Sequence, residues 1–266
     1  MSDTRSPGER EKAPHKERQK KPDLAGLSPE APKLKEDLDR YVRELKLWNP
    51  RLGLIEARDE EIFPKHIWDC LAALPVFRQV TAAAGPVDPA GPGGPGDPLR
   101  IADLGSGAGL PGLVLSLALP TSPGGRPIRW VLVEKSGRRV NFLRNCAALF
   151  PQAPVDILPS SFEALPTESF DILTNRAFQP LTPQTFSDQV RLVKPGGWIL
   201  WYKAKYESLV QEAQALGRNI RVIGSYTEAQ ELDFSVDLGA WPLQVPGLQA
   251  ERHLVLWKKS SGDARG

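Results

Sequence analysis

The sequence predicts an α/β fold, a mostly parallel sheet covered by helices on both faces and preceded by a small helical subdomain. Three observations predict it. After residue 98, short apolar runs alternate with amphipathic stretches, the pattern of strands joined by crossover helices. The first of these runs leads into a glycine-rich turn and then a second apolar stretch, Leu99 to Leu119. Before residue 85 the apolar spacing is helical only.

Residues 1–33 carry eight Lys/Arg and six Asp/Glu, several prolines and few large apolar side chains. They read as a solvated tail that buries too little surface to order itself. Leu34, Leu38, Tyr41, Val42, Leu45 and Trp48 then recur at helical spacing, and Pro50 is expected to end that helix. A second helical stretch runs from about Glu60 to Ala83, so residues 34–84 form the helical subdomain. Residues 85–98, GPVDPAGPGGPGDP, admit neither helix nor strand and read as an inserted linker. Strands are expected at Leu99–Asp103, Arg129–Glu134, Val155–Leu158, Phe170–Thr174, Trp198–Tyr202, Ile220–Ser225 and His253–Trp257. Helices are expected at Leu110–Leu119, Gly137–Phe150, Pro183–Val193 and Tyr206–Leu216. The sheet domain spans residues 99–258, and residues 259–266 form a second tail.

Composition narrows the function. Of 49 Pro and Gly residues, 23 fall in the two tails, the linker and residues 121–127. The remainder has ordinary usage, so an enzyme-sized body carries appendages. A net charge of +2 lacks the global basic footprint of a general nucleic-acid binder. No run approaches the ~18 apolar residues of a membrane span, and no apolar core follows the N-terminal basic residues. Cys70 and Cys146 form no CxxC pair, which fits reduced thiols in a cytoplasmic protein. Three histidines without a carboxylate cluster predict no metal site.

The segment from Leu99 to Gly112 carries the most chemistry. Gly107, Gly109 and Gly112 satisfy the dinucleotide fingerprint if taken literally. The glycine turn starts earlier, at Gly105, and Asp103 precedes it at the end of the strand. A carboxylate there repels a pyrophosphate and suits a cofactor with a cationic centre. S-adenosylmethionine is one, and the acidic-x-Gly-x-Gly-x-Gly pattern resembles the first motif of class I methyltransferases, with their Rossmann-like sheet. A nicotinamide enzyme stays open on this motif alone. Glu134 ends the second strand, where a carboxylate accepts both ribose hydroxyls. Ser161-Phe162-Glu163 follows the third strand, where an adenine-contacting turn belongs.

Further segments appear in a fixed order: Trp48-Asn49, Lys65-His66-Ile-Trp-Asp69, Asp103 to Gly112, and Gly137-Arg-Arg-Val-Asn-Phe-Leu-Arg144. Asn175-Arg-Ala-Phe178, Leu243-Gln-Val-Pro246 and Glu251-Arg-His-Leu-Val255 complete the set. Together they resemble the small-subunit (16S) ribosomal RNA guanine-N7 methyltransferase G family, also called glucose-inhibited division protein B, over about residues 34–258. The resemblance implies methylation of one guanine N7 in the decoding-region loop of 16S rRNA, S-adenosylmethionine as donor, and free 16S rRNA or the small ribosomal subunit as partner. Matched position by position, it implies cofactor contacts at Gly105, Leu110, Glu134, Phe162, Glu163 and Arg176, beside Asp103 and Gly107 of the motif itself. It implies Arg139, Arg176 and Arg252 as the basic residues of the catalytic face. The chain departs from the family pattern at Gly53-Leu54-Ile55, Asn175, Tyr202-Lys203-Ala204 and the 85–98 insertion.

Guanine N7 has an exposed lone pair, so this chemistry needs orientation rather than a general base. Arg is the usual partner of the guanine Hoogsteen edge, but N7 must stay free, which leaves O6 and phosphate for the arginines. His66 and Asp69, three apart on one helix face, are read as a tie between the helical subdomain and the sheet. Trp48 and Trp68 are read as core, Phe178 as core or a stacking surface, and Lys203 and Lys205 as phosphate contacts or solvated side chains. Two other functions stay open: a small-molecule methyltransferase, and a non-catalytic RNA-binding or assembly factor on the same fold.

Overall fold

A computed structural model of the chain describes residues 31–84, 97–123, 126–177, 179–223 and 237–260. Most of the expected N-terminal tail and 85–98 insertion, together with residues 261–266 and Phe178, lie outside the described residues.

Eight strands form one sheet: β1 (Leu99–Leu104), β2 (Ile128–Val133), β3 (Val155–Leu158), β4 (Phe170–Arg176), β5 (Val193–Lys203), β6 (Ile220–Val222), β7 (Leu238–Pro242) and β8 (His253–Lys258). Their order is β3-β2-β1-β4-β5-β8-β7-β6. Strands β1 to β5 run parallel, and β8 enters antiparallel beside β5. The order reverses between β1 and β4, which places a ligand crevice at their carboxyl ends. Alternation along β1 sends Leu99 and Ile101 to one face and Ala102 and Leu104 to the other, and each face has its own apolar core.

The first face is covered by α1 (Ala31–Leu52), α2 (Trp68–Leu71), α3 (Leu74–Ala83), α4 (Gly112–Ala118) and α5 (Gly137–Leu149). Leu38, Tyr41, Leu45, Leu71 and Phe77 share one buried cluster with Ile101, Trp130 and Phe142. The helical part is therefore a layer of the same body, with the Phe77 ring tilted against Trp130 at 5.9 Å between centroids. Trp48 packs edge-on against Phe142, and Trp68 leans on Phe63. The second face is covered by α6 (Pro183–Val190) and α7 (Tyr206–Ala215).

Several boundaries differ from expectation for identifiable reasons. α1 passes Pro50 and ends at Leu52, because a proline in the exposed last turn removes a single ladder hydrogen bond. Gly53, at φ +57°, then closes the helix on Asn49 O at 2.9 Å. The expected helix 60–83 is broken into a 3-10 turn (Asp59–Glu61), a π-helical turn (Phe63–Ile67), α2 and α3, because Pro64 and Pro75 each lack a donor N–H. β5 starts at Val193 and runs through Pro195-Gly196-Gly197, ahead of the expected Trp198–Tyr202 strand. A Cβ on Gly197 would lie 2.5 Å from Asp171 O, so only glycine lets β5 approach β4 there. β7, Leu-Gly-Ala-Trp-Pro, carries both strand breakers and was not expected. The expected second tail starts late: Lys259 is 3% exposed, and its ammonium donates to Val193 O at 2.8 Å.

One contact sets the approach of α4 to β1 and β2. A Cβ on Gly112 would stand 2.3 Å from Leu132 Cδ2 and 2.8 Å from Asp103 Oδ2. Gly137, at the start of α5, has open space around it. Gly112→Ala is therefore expected to lower stability by roughly 1–3 kcal/mol or more. Gly137→Ala is expected to be neutral or about 0.5–1 kcal/mol stabilising. Thermal unfolding of the two variants checks the contrast, and equal melting temperatures would contradict it.

Candidate functional site

The site is built at the carboxyl ends of β1, β2 and β4. Asp103 is fully buried, and its Oδ2 accepts from Ser106 Oγ at 2.7 Å and from the Gly112 N–H at 3.0 Å. This carboxylate joins the strand to the first turn of α4. The chain between them bends through Gly105, Gly107 and Gly109 at φ +67°, +56° and +88°, conformations that glycine adopts without a Cβ penalty. The Gly105 and Ser106 N–H groups both donate to Val133 O, at 2.9 and 3.0 Å, anchoring the turn on β2. Burial pushes Asp103 up to about 6, against the opposing pull of the Ser106 and Gly112 hydrogen bonds. Its Oδ1 is buried without a hydrogen-bond partner among the described residues. The carboxylate thus lies inside the turn, and what it offers the cleft is the turn's shape.

Glu134 follows β2 directly and is buried. Its Oε2 accepts from the Gly107 N–H at 2.9 Å and its Oε1 from the Ser136 N–H at 2.8 Å. Each oxygen keeps a second lone pair for a ligand. Across from it lies a 3-10 turn, Phe162–Ala164. Arg191, just past α6, holds that turn, donating to Leu165 O at 2.7 Å, Phe162 O at 3.2 Å and Glu163 O at 2.7 Å. Nothing in the sequence marks Arg191, since it contacts carbonyls and not a motif.

These pieces enclose a cleft of about 270 Å³ lined by Gly105, Glu134, Arg139, Phe162, Glu163 and Ala177, among others. Ala177 has φ +50°, a backbone strain of the kind that collects at functional sites. A larger hollow of about 700 Å³ lies beside the start of α1 and the Pro120–Pro123 segment. Volume does not pick the site: the glycine turn and the Glu134 carboxylate converge on the smaller cleft.

The other predicted residues stand as follows. Leu110 is buried within the turn, its N–H donating to Ser106 O at 3.2 Å. Arg176 ends β4 and points into the helical layer. Its Nε donates to Asp69 Oδ2 at 2.7 Å, and its Nη2 donates to Lys65 O at 2.8 Å and meets His66 Nδ1 at 2.9 Å. Arg252 Nε lies 3.2 Å from Asp69 Oδ1, an ion pair outside hydrogen-bond geometry. The structure therefore brings Arg176 and Arg252 together on Asp69, while Arg139 stands apart on the cleft wall. Asn175 faces the opposite side of β4, donating to Gln189 Oε1 at 3.0 Å. Lys203 is paired with Glu212 at 2.7 Å.

A guanidinium only donates, so His66 Nδ1 accepts and the ring proton sits on Nε2. Burial, then the Arg176, Lys65 and Arg252 charges, push His66 down to about 4.

The family model for rRNA small subunit methyltransferase G matches residues 34–231. The chain belongs to that family. It is 32% identical over 237 residues to "Ribosomal RNA small subunit methyltransferase G" of Treponema denticola, covering 85% of this chain and 87% of that one. It is 33% identical over 204 residues to the protein of the same name from Myxococcus xanthus, covering 74% and 82%. Among solved structures, the METTL16 MTase domain superposes with TM-score 0.46 at 14% identity, covering 90% of this chain and 92% of that one. The resemblance carried by the ordered motifs and the Rossmann-like methyltransferase sheet it implied both hold. No helix among the described residues is long and apolar enough to cross a membrane. No group of three or more His, Cys, Asp or Glu among them is placed to hold a metal.

The imidazole provides a check on the site's charge state. With its folded value below the ~6.5 of a free histidine, His66 binds fewer protons folded than unfolded. Its contribution to stability is complete above about pH 6.5 and is lost as pH falls towards 4. Side-chain NMR should show a neutral, Nε2-protonated ring at pH 7 and a titration midpoint near 4. A midpoint at or above 6 would contradict the described environment.

Proposed function

We propose that the chain transfers a methyl group from S-adenosylmethionine to N7 of one guanine in the decoding-region loop of 16S rRNA, presented as free rRNA or in the small ribosomal subunit. One observation carries the reading. In a chain of the rRNA small subunit methyltransferase G family, the glycine turn, the Glu134 carboxylate and the 162–165 turn surround one cleft at the switch point of the sheet.

The residues present fit the cofactor. Glu134 is aligned by two backbone N–H groups with lone pairs to spare, the arrangement that accepts a ribose diol. A carboxylate on the cleft wall disfavours a pyrophosphate and suits a ligand with a cationic centre. Gly105 lets the ligand approach the backbone at the turn. Asp103, Gly107 and Leu110 act by shaping that turn. Phe162 and Glu163 supply the adenine side, held by Arg191.

When bound, S-adenosylmethionine supplies an electrophilic methyl group on a cationic sulfur. The protein's share is then placement. Guanine N7 is already a nucleophile, so no side chain has to remove a proton first. Arg139 on the cleft wall, with Arg176 and Arg252 beside Asp69, offers donors to guanine O6 and to phosphate. A guanidinium directly at N7 would oppose the positive charge that develops on the base. Arg176 avoids this, because Nε and Nη2 are turned into the helical layer. His66, neutral at pH 7, adds no charge there.

Mapping N7-methylguanosine in 16S rRNA from cells with and without this protein tests the reading. One decoding-region guanine is expected to lose its N7 methyl group when the protein is absent, and the purified protein with S-adenosylmethionine is expected to restore it. An unchanged 16S modification pattern would overturn the assignment.

A further inference from the structure

The strongest unused feature is the polar cluster beneath the helical layer. We propose that Asp69 is a positioning residue for methyl transfer: one buried carboxylate, carried by the helical layer, sets the guanidinium groups of both Arg176 and Arg252 for the RNA. This deepens the rRNA-methylation reading and rests on it.

Asp69 is 1% exposed, and a carboxylate at that depth persists only with opposite charge beside it. Two guanidiniums supply it, Arg176 Nε at 2.7 Å from Oδ2 and Arg252 Nε at 3.2 Å from Oδ1. Both engage the carboxylate through Nε, and each spends one terminal nitrogen elsewhere, Arg176 Nη2 on Lys65 O and His66 Nδ1 and Arg252 Nη1 on Glu251 O. A bidentate pair would occupy the fork that recognises phosphate or a base edge. The side-on arrangement keeps it in part available. Arg176 Nη1 makes no hydrogen bond to the described residues, and Arg176 remains 16% exposed. One carboxylate against two guanidiniums leaves a local positive charge, and neutral His66 acts only as an acceptor.

The carboxylate is itself fixed. Tyr202 faces Arg176 across the β4–β5 pair, and its hydroxyl donates to Cys70 O, next to Asp69, at 2.9 Å. The π-helical turn delivers Lys65 O and His66 Nδ1 to the same guanidinium. Three elements far apart in sequence thus meet at one carboxylate. Arg176 is locked by three contacts, to the Asp69 and His66 side chains and to the Lys65 carbonyl. Arg252 is held more lightly, by the ion pair to Asp69 and by one bond from its Nη1 to the neighbouring Glu251 O at 2.8 Å.

A purely structural tie predicts a different outcome. The layer is already fastened by its apolar core and by the Tyr41 and Tyr202 hydroxyls. Asp69→Asn in the full chain keeps the shape and removes the charge. On small ribosomal subunits or 16S rRNA, its kcat is expected to fall at least tenfold and its KM for RNA to rise. Its S-adenosylmethionine Kd, by calorimetry, is expected to stay within about threefold of wild type. A folded variant with wild-type kcat and RNA KM would overturn the proposal. If Asp69→Asn does not fold, Asp69→Glu replaces it, because it keeps the charge and displaces both guanidiniums by one methylene. It should lower kcat at unchanged cofactor affinity, and unchanged kcat would overturn the proposal. An activity-independent readout separates this from the parent reading. The Arg176 Nε–H NMR signal should be protected in wild type and exchange faster in Asp69→Asn. Unaltered protection would overturn the positioning role whatever the substrate. Faster exchange with a wild type inactive on 16S rRNA would overturn the rRNA reading and leave Asp69's hold on Arg176 supported.

Discussion

Between the end of β1 and the start of α4 there is no room for a Cβ. The Asp103 carboxylate reaches across that gap to the Gly112 N–H, and Leu132 closes it from the side. To make the approach, the intervening chain turns through three left-handed glycines and anchors two N–H groups on β2. That turn in turn places the Gly107 N–H against Glu134 and so orients the carboxylate that closes the cleft. A buried acid is costly in general. Here two hydrogen bonds offset part of the cost, and the rise of Asp103 to about 6 records the rest.

The helical layer belongs to the same machine. Its apolar stripe shares a core with the sheet, and its polar groups reach the site at separate points. The Tyr41 hydroxyl donates to Ala108 O inside the glycine turn at 2.7 Å. The Lys65, His66 and Asp69 group receives Arg176. Movement of α1 or α2 would therefore be felt both by the turn that shapes the cleft and by the arginines proposed to meet RNA. Breaking the Asp69–Arg176 pair from the arginine side would strand a buried carboxylate, at a cost on the order of 3–5 kcal/mol, softened by Arg252 at 3.2 Å.

The sequence made the parallel sheet and the glycine turn legible because both are local patterns: alternation along each strand, and glycines at fixed offsets after an acidic strand end. It pointed to Glu134, Phe162 and Glu163 through their places after the second and third strands, and the structure gathers them on one cleft. Four things were not legible. β7 and the first half of β5 contain Gly and Pro, whose turn propensity is overridden by sheet context. The broken path of residues 59–83 follows from two prolines inside an otherwise helical spacing. The convergence on Asp69 brings in arginines more than a hundred positions further along the chain, and the three-residue spacing of His66 and Asp69 suggested only a shared helix face. Arg191 had no signal at all, since its partners are backbone carbonyls.

The most direct measurement of the central claim is a crystal structure with S-adenosylhomocysteine bound. The account predicts the nucleoside in the cleft between the glycine turn and the Phe162–Ala164 turn. Its ribose hydroxyls should lie within hydrogen-bond distance of Glu134, with the Gly107 and Ser136 N–H bonds to that carboxylate retained. A nucleoside seated in the larger hollow beside Pro120–Pro123, or a ribose out of reach of Glu134, would contradict it.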